Sequence, residues 1–382
     1  MSRPRLLVLA LSPLRGDARV LRQVRLFADR YEVTTVGYGE APDGVTGHVR
    51  VPDDIVSWHK DRRLLLARRW QAAYDTAPVV THLREVLQPG RWDVVLANDV
   101  ETVPLALGLG AAGVHADLHE YAPRQNEESW RWRTFVAPFQ RWLVREWVTR
   151  ADSVSTVGPA LAREYEREFG VRAEVVLNAA PYADRSPTPV GSPLRLVHSG
   201  LARRNRSLEV MLDAVLACRR ELTLDLYLVP NDPAYLQELR ERVAGRPRVR
   251  FHDPVAPHEL GDRLAGADLG VFVLPPLTFN YRYTLPNKLF DFVQARLGVV
   301  VGPSPEMAGL VRRHGLGVVT EDFSAAALTR ALEALTPGQV TGFKAASHAV
   351  AREYAAEQQV QGWARAVDAL AQRTRDPRPP GR

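Results

Sequence analysis

This chain of 382 residues has a single cysteine, Cys218, which excludes an intrachain disulfide and fits a reducing cytoplasm. No apolar run approaches the roughly 20 residues that a membrane-spanning helix needs. The run Leu6–Leu11 follows basic residues, as a signal peptide would, but it is short, and charged residues follow where a small-residue cleavage site belongs. We therefore predict that this run is a first buried strand and that the protein is cytoplasmic.

Lysine is also scarce, since only Lys60, Lys288 and Lys344 contribute to the fifty basic residues. The net charge is +6, but acidic residues are interspersed and no basic stripe carries interleaved aromatics, so nucleic acid is not an expected partner. With 46% apolar and 25% charged residues the composition is that of a globular protein. The length predicts two or three domains.

Short apolar runs alternate with longer segments of helical period, a pattern typical of βαβ units and parallel sheets. In the first half the predicted strands are Arg5–Leu11, Glu32–Val36, His48–Val51, Val94–Ala97, His115–Leu118, Ser153–Thr156 and Ala173–Leu177. The predicted helices there are Asp17–Asp29, Asp61–Leu87, Thr102–Gly110, Asn126–Thr149 and Pro159–Phe169.

A second series follows the Pro-rich stretch Asn178–Pro193. Its predicted strands are Leu194–His198, Leu222–Leu228, Arg248–Phe251, Leu269–Val273, Val299–Val301 and Gly317–Val319. Its predicted helices are Ser207–Arg220, Pro233–Val243, His258–Ala265, Asn287–Leu297, Glu306–His314, Ser324–Ala334 and the long pattern Gly342–Ala371. The fold class is therefore α/β, with two Rossmann-like doubly wound domains that face each other across a cleft, because ligands of such sheets bind beyond the carboxyl ends of the strands.

The domain boundaries expected from this pattern place a first domain at residues 1–185 and a linker at 186–193. A second domain follows at 194–355. A C-terminal helix at 356–372 is expected to pack back toward the first domain, and residues 373–382 form a disordered Pro/Arg tail.

The segment Thr284–Phe292 has the features of a ligand-binding site at the start of a helix. Pro286 is tolerated in the first turn of a helix, where free N–H groups and the helix dipole favour an anion. Lys288 adds a positive charge, and Asp291 falls on the same helix face. A cation for phosphate and a carboxylate for sugar hydroxyls describe a nucleotide-sugar site. An ordinary amphipathic helix with a solvated Lys–Asp pair is the alternative.

Four segments together carry a resemblance to a family. They are residues 16–20 after the first strand, the strand ends around 97–104 and 116–120, the glycine turn with basic residues at 198–207, and the Pro-Asn-Lys-Leu-Phe-Asp block at 286–291. In this order they resemble the GT-B glycosyltransferases, and within them the retaining group usually called family 4, over residues 5 to 370.

The resemblance implies a hexosyltransferase-type enzyme of carbohydrate biosynthesis. It would move a sugar from a nucleoside diphosphate sugar, of UDP or GDP type, to a hydroxyl-bearing acceptor, with retention and without a cofactor. No metal site is expected, because the nearest approach to an Asp-x-Asp motif is the adjacent pair Asp53-Asp54. The oligomeric state is left open.

The site residues fall into three groups. Leaving-group stabilisation and catalysis are expected from His119, Arg203, Arg206 and Lys288. Donor binding is expected from Gly200, Arg204, Asp253, Pro254, Val255, Tyr283, Pro286, Asn287, Leu289 and Asp291. The acceptor side is expected to use Gly16, Asp17, Asp99 and Glu120.

Some positions depart from the family pattern. Tyr283 stands where many members carry a sugar-binding glutamate, and Leu201 replaces the usual arginine after the glycine. Two alternatives therefore stay open: a non-catalytic GT-B binding or partner protein, and an enzyme like the nucleotide-sugar 2-epimerases. An inverting transferase, with His119 as general base, is a third reading of the mechanism.

The segment Trp130–Trp147 is rich in both Trp and Arg, and the Arg-rich stretch 62–70 is open to the same two interpretations. Helices of this kind lie on anionic membranes, so a peripheral membrane contact and a membrane-associated location are one interpretation. A helix that packs its aromatic face on the sheet of its own domain is the other.

Overall fold

The computed structural model describes residues 3–373. These residues form two compact units, the first running up to Leu177 and resuming from Val360, the second spanning Asn178–Gln359. Along the described residues, no helix combines the length and the apolar character that crossing a bilayer requires.

The first unit is built on a parallel sheet with the order β3-β2-β1-β4-β5-β6-β7 in the described part of the chain. Leu6 to Leu9 of β1 are completely buried, as expected for a central parallel strand covered on both faces. The strands are β1 Arg5–Pro13, β2 Glu32–Tyr38, β3 Gly47–Arg50, β4 Val94–Asn98, β5 Gly113–Leu118, β6 Ser153–Thr156 and β7 Ala173–Val175.

Helices follow the strands of this sheet, and all but the short one at Arg62–Leu66 bury apolar side chains. Those before the crossing to the second unit are α1 Ala18–Phe27, α2 Arg62–Leu66, α3 Trp70–Asp75, α4 Pro78–Val86, α5 Val103–Gly108, α6 Ala137–Glu146 and α7 Pro159–Phe169. Short 3₁₀ turns occur at Leu14–Gly16, Ala122–Arg124 and Val148–Arg150, and a π-helical turn at Trp132–Val136 precedes α6.

The second unit repeats the architecture with the order β10-β9-β8-β11-β12-β13 among the described residues. Its strands are β8 Leu194–Leu201, β9 Leu222–Val229, β10 Val249–His252, β11 Leu269–Phe272, β12 Gly298–Val301 and β13 Gly317–Val319. Its helices are α8 Glu209–Ala217, α9 Pro233–Arg242, α10 Pro257–Ala265, α11 Phe279–Arg282, α12 Asn287–Gln294, α13 Pro305–His314, α14 Ala325–Ala334, α15 Pro337–Val350 and α16 Ala356–Gln359. A 3₁₀ turn spans Arg204–Arg206.

The last helix, α17 Gln361–Arg373, belongs to the first unit. Trp363, Val367 and Leu370 lie in one apolar cluster with β1 and β4 side chains. The predicted tail began at residue 373, but Arg373 ends this helix and pairs with Asp152 at 2.5 Å. The rest of the predicted tail, 374–382, lies outside the described residues.

The expected doubly wound α/β class is confirmed, and every predicted strand is present within a few residues. Three helix predictions were too long. Residues 61–87 form α2, α3 and α4, because Arg68 adopts a left-handed φ of 54° and Pro78 starts a new helix. Residues 126–149 become regular only at the π turn before α6, where Pro138 occupies the first turn. The pattern at 342–371 is divided into α15, α16 and α17.

The units divide at residues 177 and 178, not at the expected linker. Residues 178–193 have no helix or strand, as their composition indicated, but they pack on the second unit. The backbone N–H of Ala183 donates to Gln294 Oε1 at 3.1 Å, and that of Gly191 donates to Asp268 Oδ2 at 3.2 Å.

Candidate active site

In the second unit, the carboxyl end of β8 meets the start of α12. A Cβ atom at Gly200 would lie only 2.7 Å from Lys288 Nζ, and Gly200 has a φ of +140° that other residues rarely adopt. Lys288 Nζ also lies 4.0 Å from the centre of the Phe272 ring at the end of β11. Because β8 and β11 are neighbours where the strand order reverses, the amine lies at the switch point of the sheet.

A second cation, Arg206, accompanies this lysine. Its guanidinium lies 5.1 Å from the centre of the Tyr281 ring, and its Nε is buried without a hydrogen-bond partner in the described chain. Burial, and then the charge of Arg206, hold the pKa of Lys288 well below its usual 10.5, although Asp291 acts in the opposite direction. Two basic groups are therefore held beside one carboxylate.

His198, on β8, is a buried acceptor near these cations. Its Nδ1 lies 2.8 Å from the carbonyl oxygen of Val271 and must donate the proton, since a carbonyl only accepts. Burial, followed by Lys288 and Arg206, lowers the pKa of His198 well below 6.5, so the ring is neutral. Its Nε2 lone pair has no partner within the described residues.

The helix start at α12 differs in one detail from the prediction. Pro286 is the N-cap residue, and Asn287 is the first helical residue. The N–H groups of Asn287 and Lys288 lie in the first turn, which has no intrahelical acceptors for them. The Leu289 N–H is already used, since it donates to the Pro286 carbonyl at 3.0 Å, and the Leu289 side chain is buried.

The remaining donor-side residues lie in two other segments of the second unit. Tyr283 is the C-cap residue that follows α11, and its ring packs on that of Phe279, with ring centres 4.7 Å apart. Asp253, Pro254 and Val255 form the loop that follows β10. Of these, Asp253 and Pro254 are exposed.

The two other arginines behave differently from Arg206. Arg203 is exposed before the 3₁₀ turn. Arg204 is neutralised by a two-point ion pair with Glu238, at 2.7 and 2.5 Å, and lies over the Tyr235 ring. Glu238 is therefore an exposed partner that already holds this guanidinium, and the role of Arg204 in donor binding stays a prediction.

In the first unit, strand ends and nearby helices enclose a cavity of about 540 Å³. It is lined by Ala10, Leu11, Ser12, Asp17, Ser57, Trp58, Lys60, Leu65, Asn98, Asp99, Val100, Glu101, Thr102, His119, Glu120, Ala122, Gln125, Asn126, Trp132, Val136, Phe139 and Gln140. The strands β1, β4 and β5 contribute their carboxyl ends, as in other doubly wound sheets.

His119 is held at this cavity by carboxylates. Its Nδ1 lies 3.5 Å from Asp99, and its Nε2 lies 3.4 Å from Asp117 and 3.0 Å from Asn98 Oδ1. Burial alone would lower the pKa of His119, but Asp99 and Asp117 outweigh it and raise the pKa to about 9. The imidazole is therefore protonated at neutral pH and acts as a hydrogen-bond donor.

Asp117, on β5, is itself fixed by a buried ion pair with Arg19 of α1. The two nitrogen–oxygen distances are 2.7 and 2.6 Å, and Ser155 also donates to the carboxylate at 2.6 Å. Burial would raise the pKa of Asp117, but Arg19 and His119 hold it well below 3.8. The guanidinium lies 4.6 Å from the Trp363 ring of α17. Arg19 is thus a buried structural charge that orients the group behind His119.

The structure distinguishes among the acceptor-side predictions. Asp17 caps α1 by accepting from the N–H groups of Arg19 and Val20, and it also lines the cavity. Asp99 does not cap α5, because Thr102 is the N-cap residue of that helix. The Asp99 carboxylate instead accepts a hydrogen bond from the backbone N–H of His119 at 3.0 Å.

Two acceptor-side predictions remain. Glu120 is exposed at the cavity wall. Gly16 does not line the cavity, has an ordinary φ, and has no atom within 4 Å of a Cβ position, so neither geometry nor contact requires glycine there.

Sequence reasoning missed several polar groups of this cavity. Lys60 Nζ donates to Glu101 Oε2 at 2.7 Å, and Gln140 Nε2 donates to Glu101 Oε1 at 2.9 Å. These residues come from a loop, the turn after β4 and helix α6, so no local motif joins them. The scarcity of lysine was the one available signal for Lys60.

Comparison with known proteins identifies the fold. Residues 193–336, most of the second unit, match the family model described as Glycosyl transferases group 1. HepE of Anabaena, solved with UDP-glucose, aligns over 96% of this chain and 100% of its own, with a TM-score of 0.69 and 15% identity. The chain has the GT-B glycosyltransferase fold. The GT-B fold expected from the sequence is thereby confirmed.

Other solved structures agree. The sucrose-phosphate synthase of Thermosynechococcus elongatus aligns over 96% of this chain and 100% of its own, with a TM-score of 0.66 and 12% identity. WaaG, a glycosyltransferase involved in lipopolysaccharide biosynthesis, aligns over 91% of this chain and 95% of its own, with a TM-score of 0.58 and 17% identity. No curated protein sequence matches the chain.

Proposed function

We propose that this GT-B protein is a glycosyltransferase that uses a nucleoside diphosphate hexose and a hydroxyl-bearing acceptor. The observation that carries the proposal is the cluster of Lys288, Arg206 and the first turn of α12 at the switch point of the second unit. Basic groups without enough local carboxylate are costly, and a diphosphate supplies the missing negative charge. HepE, whose fold is the same, was solved with UDP and UDP-glucose, which supports a UDP-type donor.

The chemistry follows from where charge develops. As the bond to the anomeric carbon breaks, the diphosphate gains negative charge, and fixed cations and N–H groups stabilise it. Lys288, Arg206 and the N–H groups of the α12 start supply this stabilisation, so we propose metal-independent transfer. Asp291 lies one helical turn from Lys288 and is suited to bind ribose hydroxyls.

The electrostatics of His119 bear on the stereochemistry. With a pKa of about 9 the imidazole already carries its proton at neutral pH, and a general base must be unprotonated. This supports retention through front-face attack, in which the departing phosphate oxygen accepts the acceptor's proton. His119 then donates hydrogen bonds to substrate oxygens.

We also propose a cytoplasmic protein with a peripheral membrane contact. Trp58, Leu66 and Trp130 are 73%, 60% and 59% exposed, which is unusual for large apolar side chains. Exposed arginines flank them at 62, 63, 68, 69, 131 and 133. Apolar side chains among arginines suit an anionic bilayer. Flotation with anionic and neutral liposomes tests this contact, and equal absence from both lipid fractions would refute it.

The activity is tested by calorimetry with UDP and GDP, followed by transfer assays with the corresponding nucleotide sugars. We expect one nucleotide to bind without added metal and its sugar to be transferred. Proton NMR of the product gives the anomeric configuration, and an inverted product contradicts the retaining mechanism. Binding without any transfer or hydrolysis favours the non-catalytic alternative. Turnover of the donor without an acceptor favours the epimerase-like alternative.

A further inference from the structure

The hydroxyl of Ser155, on β6, has a partner at each of its hydrogen-bonding positions. It donates to Asp117 Oδ1 at 2.6 Å, and the indole N–H of Trp363 donates to the Ser155 oxygen at 3.2 Å. His115 Nε2 is the third partner, at 2.8 Å. A hydroxyl has one proton and two lone pairs. Because Asp117 takes the proton, His115 Nε2 must also donate.

The charge state of His115 agrees with this assignment. Burial lowers the pKa of His115 to about 4, so the ring is neutral at pH 7 and carries one proton. With that proton on Nε2, Nδ1 is an acceptor, and the Ser153 hydroxyl lies 2.8 Å away to donate to it. Each hydrogen bond from Ser153 to Asp117 therefore has a defined direction, and the series ends at the carboxylate.

Trp363 contacts two of the groups that hold Asp117. Its N–H donates to Ser155, and its ring centre lies 4.6 Å from the guanidinium carbon of Arg19. Arg19 forms the two-point ion pair with the Asp117 carboxylate at 2.7 and 2.6 Å. Trp363 is completely buried on α17, and it lies 208 positions after Ser155 in the chain. A helix that the chain reaches only after the second unit therefore helps to hold this carboxylate.

The carboxylate of Asp117 connects these groups to the cavity of the first unit. Its Oδ1 accepts from Ser155, whereas its Oδ2 lies 3.4 Å from His119 Nε2. The other charges that face the imidazole are Asp99, in the turn after β4, and Arg19, on α1. His119 lines the cavity, so a displaced carboxylate would displace a side chain of the cavity wall.

We propose that Trp363 and Ser155 are positioning residues for His119, because they fix the Asp117 carboxylate that holds the imidazole. Hydrogen bonds in series polarise one another, so the loss of one weakens the next. The part of this inference that concerns catalysis rests on the proposed function, in which His119 donates to substrate oxygens. The hydrogen bonds themselves do not depend on that function.

The electrostatic effect of these hydrogen bonds on His119 has a definite sign. The Ser155 hydroxyl directs its positive hydrogen at Asp117 and offsets part of the negative charge that His119 experiences. The Trp363 N–H strengthens that donation. Removing either group should therefore raise the pKa of His119. General loosening of the core acts in the opposite direction, because water that enters screens the attraction between carboxylate and imidazolium.

The test uses the full-length protein and the variants Ser155→Ala, Trp363→Phe and Trp147→Phe. Trp363→Phe keeps an aromatic ring beside Arg19 and removes only the N–H. Trp147 also lies in the first unit, and its buried Nε1 has no partner in the described chain, so Trp147→Phe is the matched control. NMR titration of the imidazole signals measures the pKa of His119 without any ligand. The signals are assigned with His119→Asn.

We expect the pKa of His119, about 9 in the wild type, to rise by about 0.5 in Ser155→Ala. It should rise by a smaller amount in Trp363→Phe and stay unchanged in Trp147→Phe. The two substitutions remove different groups, so one remains decisive if the other prevents folding. An unchanged or lowered pKa in either folded variant overturns the inference.

Transfer assays test the part that concerns catalysis. We expect kcat to fall about fivefold in Trp363→Phe, less than the roughly 10²-fold that a displacement of about 1 Å costs. Trp363→Phe should cause no further loss in a His119→Asn background, because a positioning residue acts only through the group that it positions. An unchanged kcat, or equal losses in both backgrounds, overturns the role in catalysis. Absence of transfer by the wild type refutes the transferase, whereas the NMR titration still decides whether Trp363 and Ser155 act on His119.

Discussion

Replacing Lys288 by methionine should weaken function while stabilising the fold. Methionine keeps the length of the side chain and its contact with the Phe272 ring, but removes the amine that lies against Gly200. In the free protein that amine has no ion-pair partner among the described residues, and its pKa is well below 10.5. The substitution therefore removes a cost from the unliganded state and a contact from the liganded one.

The loss of function is estimated from the chemistry of the leaving group. Removing one preorganised donor to a developing anion lowers turnover by roughly 10²–10³-fold. We expect about a 10²-fold loss of turnover for Lys288→Met, with a smaller loss of UDP affinity because Arg206 and the α12 N–H groups remain.

The gain in stability has a defined pH dependence. A buried donor without a partner costs about 1–3 kcal/mol, and because Lys288 is partly exposed we expect a gain of about 1 kcal/mol. The folded-state pKa is lowered, so the unfolded chain binds more protons between that value and 10.5. Wild-type stability therefore rises with pH across this window. The stability that Lys288→Met gains over the wild type is therefore largest at pH values below this window and disappears above pH 10.5.

Lys344→Met is the matched control. Lys344 Nζ donates to Thr188 Oγ1, the Ala267 carbonyl and Asp268 Oδ1, at 2.9, 3.1 and 3.2 Å. Breaking this buried pair should destabilise the protein by about 3 kcal/mol. Urea unfolding at several pH values, with calorimetric UDP titration, measures both effects. Equal destabilisation by the two substitutions, or unchanged turnover in Lys288→Met, would refute the reasoning.

Further predictions concern both units. His119 has its pKa raised to about 9, so its stabilising contribution is full below pH 6.5 and is lost as the pH rises through about 9. His119→Asn should remove that part of the pH slope in urea unfolding, and an unchanged slope would contradict this assignment. Asp117→Asn leaves Arg19 buried without its partner, so it should cost about 3–5 kcal/mol. It should also lower the His119 pKa in an NMR titration; an unmoved pKa would disprove the coupling. Gly200→Ala should weaken UDP binding and destabilise by about 1–3 kcal/mol because of its positive φ. Gly16→Ala is the silent control in the same assays, and similar effects of the two would argue against a special role for Gly200.

The strands were predictable because a parallel strand that is covered on both faces has a continuous apolar sequence. Val299 to Val301 are buried throughout, and the sequence Gly-Val-Val-Val leaves little room for another interpretation. Strand ends were predictable to within three residues for the same reason. The apolar run of each strand ends at charged or small residues, and these mark the point where the strand leaves the core.

Helix interruptions were harder to predict. The segment 61–87 keeps a helical period, but the chain turns at Arg68, whose left-handed φ no composition signals. In 126–149 the π turn at Trp132–Val136 adds a residue to the ring closed by each hydrogen bond, and Pro138 then restarts a regular helix.

The site was predictable where a motif lies at one strand end or one helix start. Lys288, Gly200 and His119 were predicted on that basis, and the structure places Lys288 against Gly200 and His119 at the cavity of the first unit. The ion pair of Arg204 with Glu238 could not be predicted, because Glu238 lies on α9 and only the folded structure brings the two side chains together. Gln140 was missed for a related reason, because its hydrogen-bond partner, Glu101, lies 39 residues earlier in the chain.

The polar clusters of the two units differ in whether their buried polar groups already have hydrogen-bond partners within the protein. In the first unit, Arg19 and Asp117 satisfy each other and hold His119 in place before any ligand binds. In the second unit, Arg206 Nε and His198 Nε2 lack partners in the described chain. A ligand that binds only the folded state stabilises what it binds, by an amount that grows with its concentration. UDP should therefore slow amide hydrogen exchange in β8, β11 and the start of α12, and leave β4 and β5 unaffected. Equal protection of both units would show that the unsatisfied cations do not form the nucleotide site.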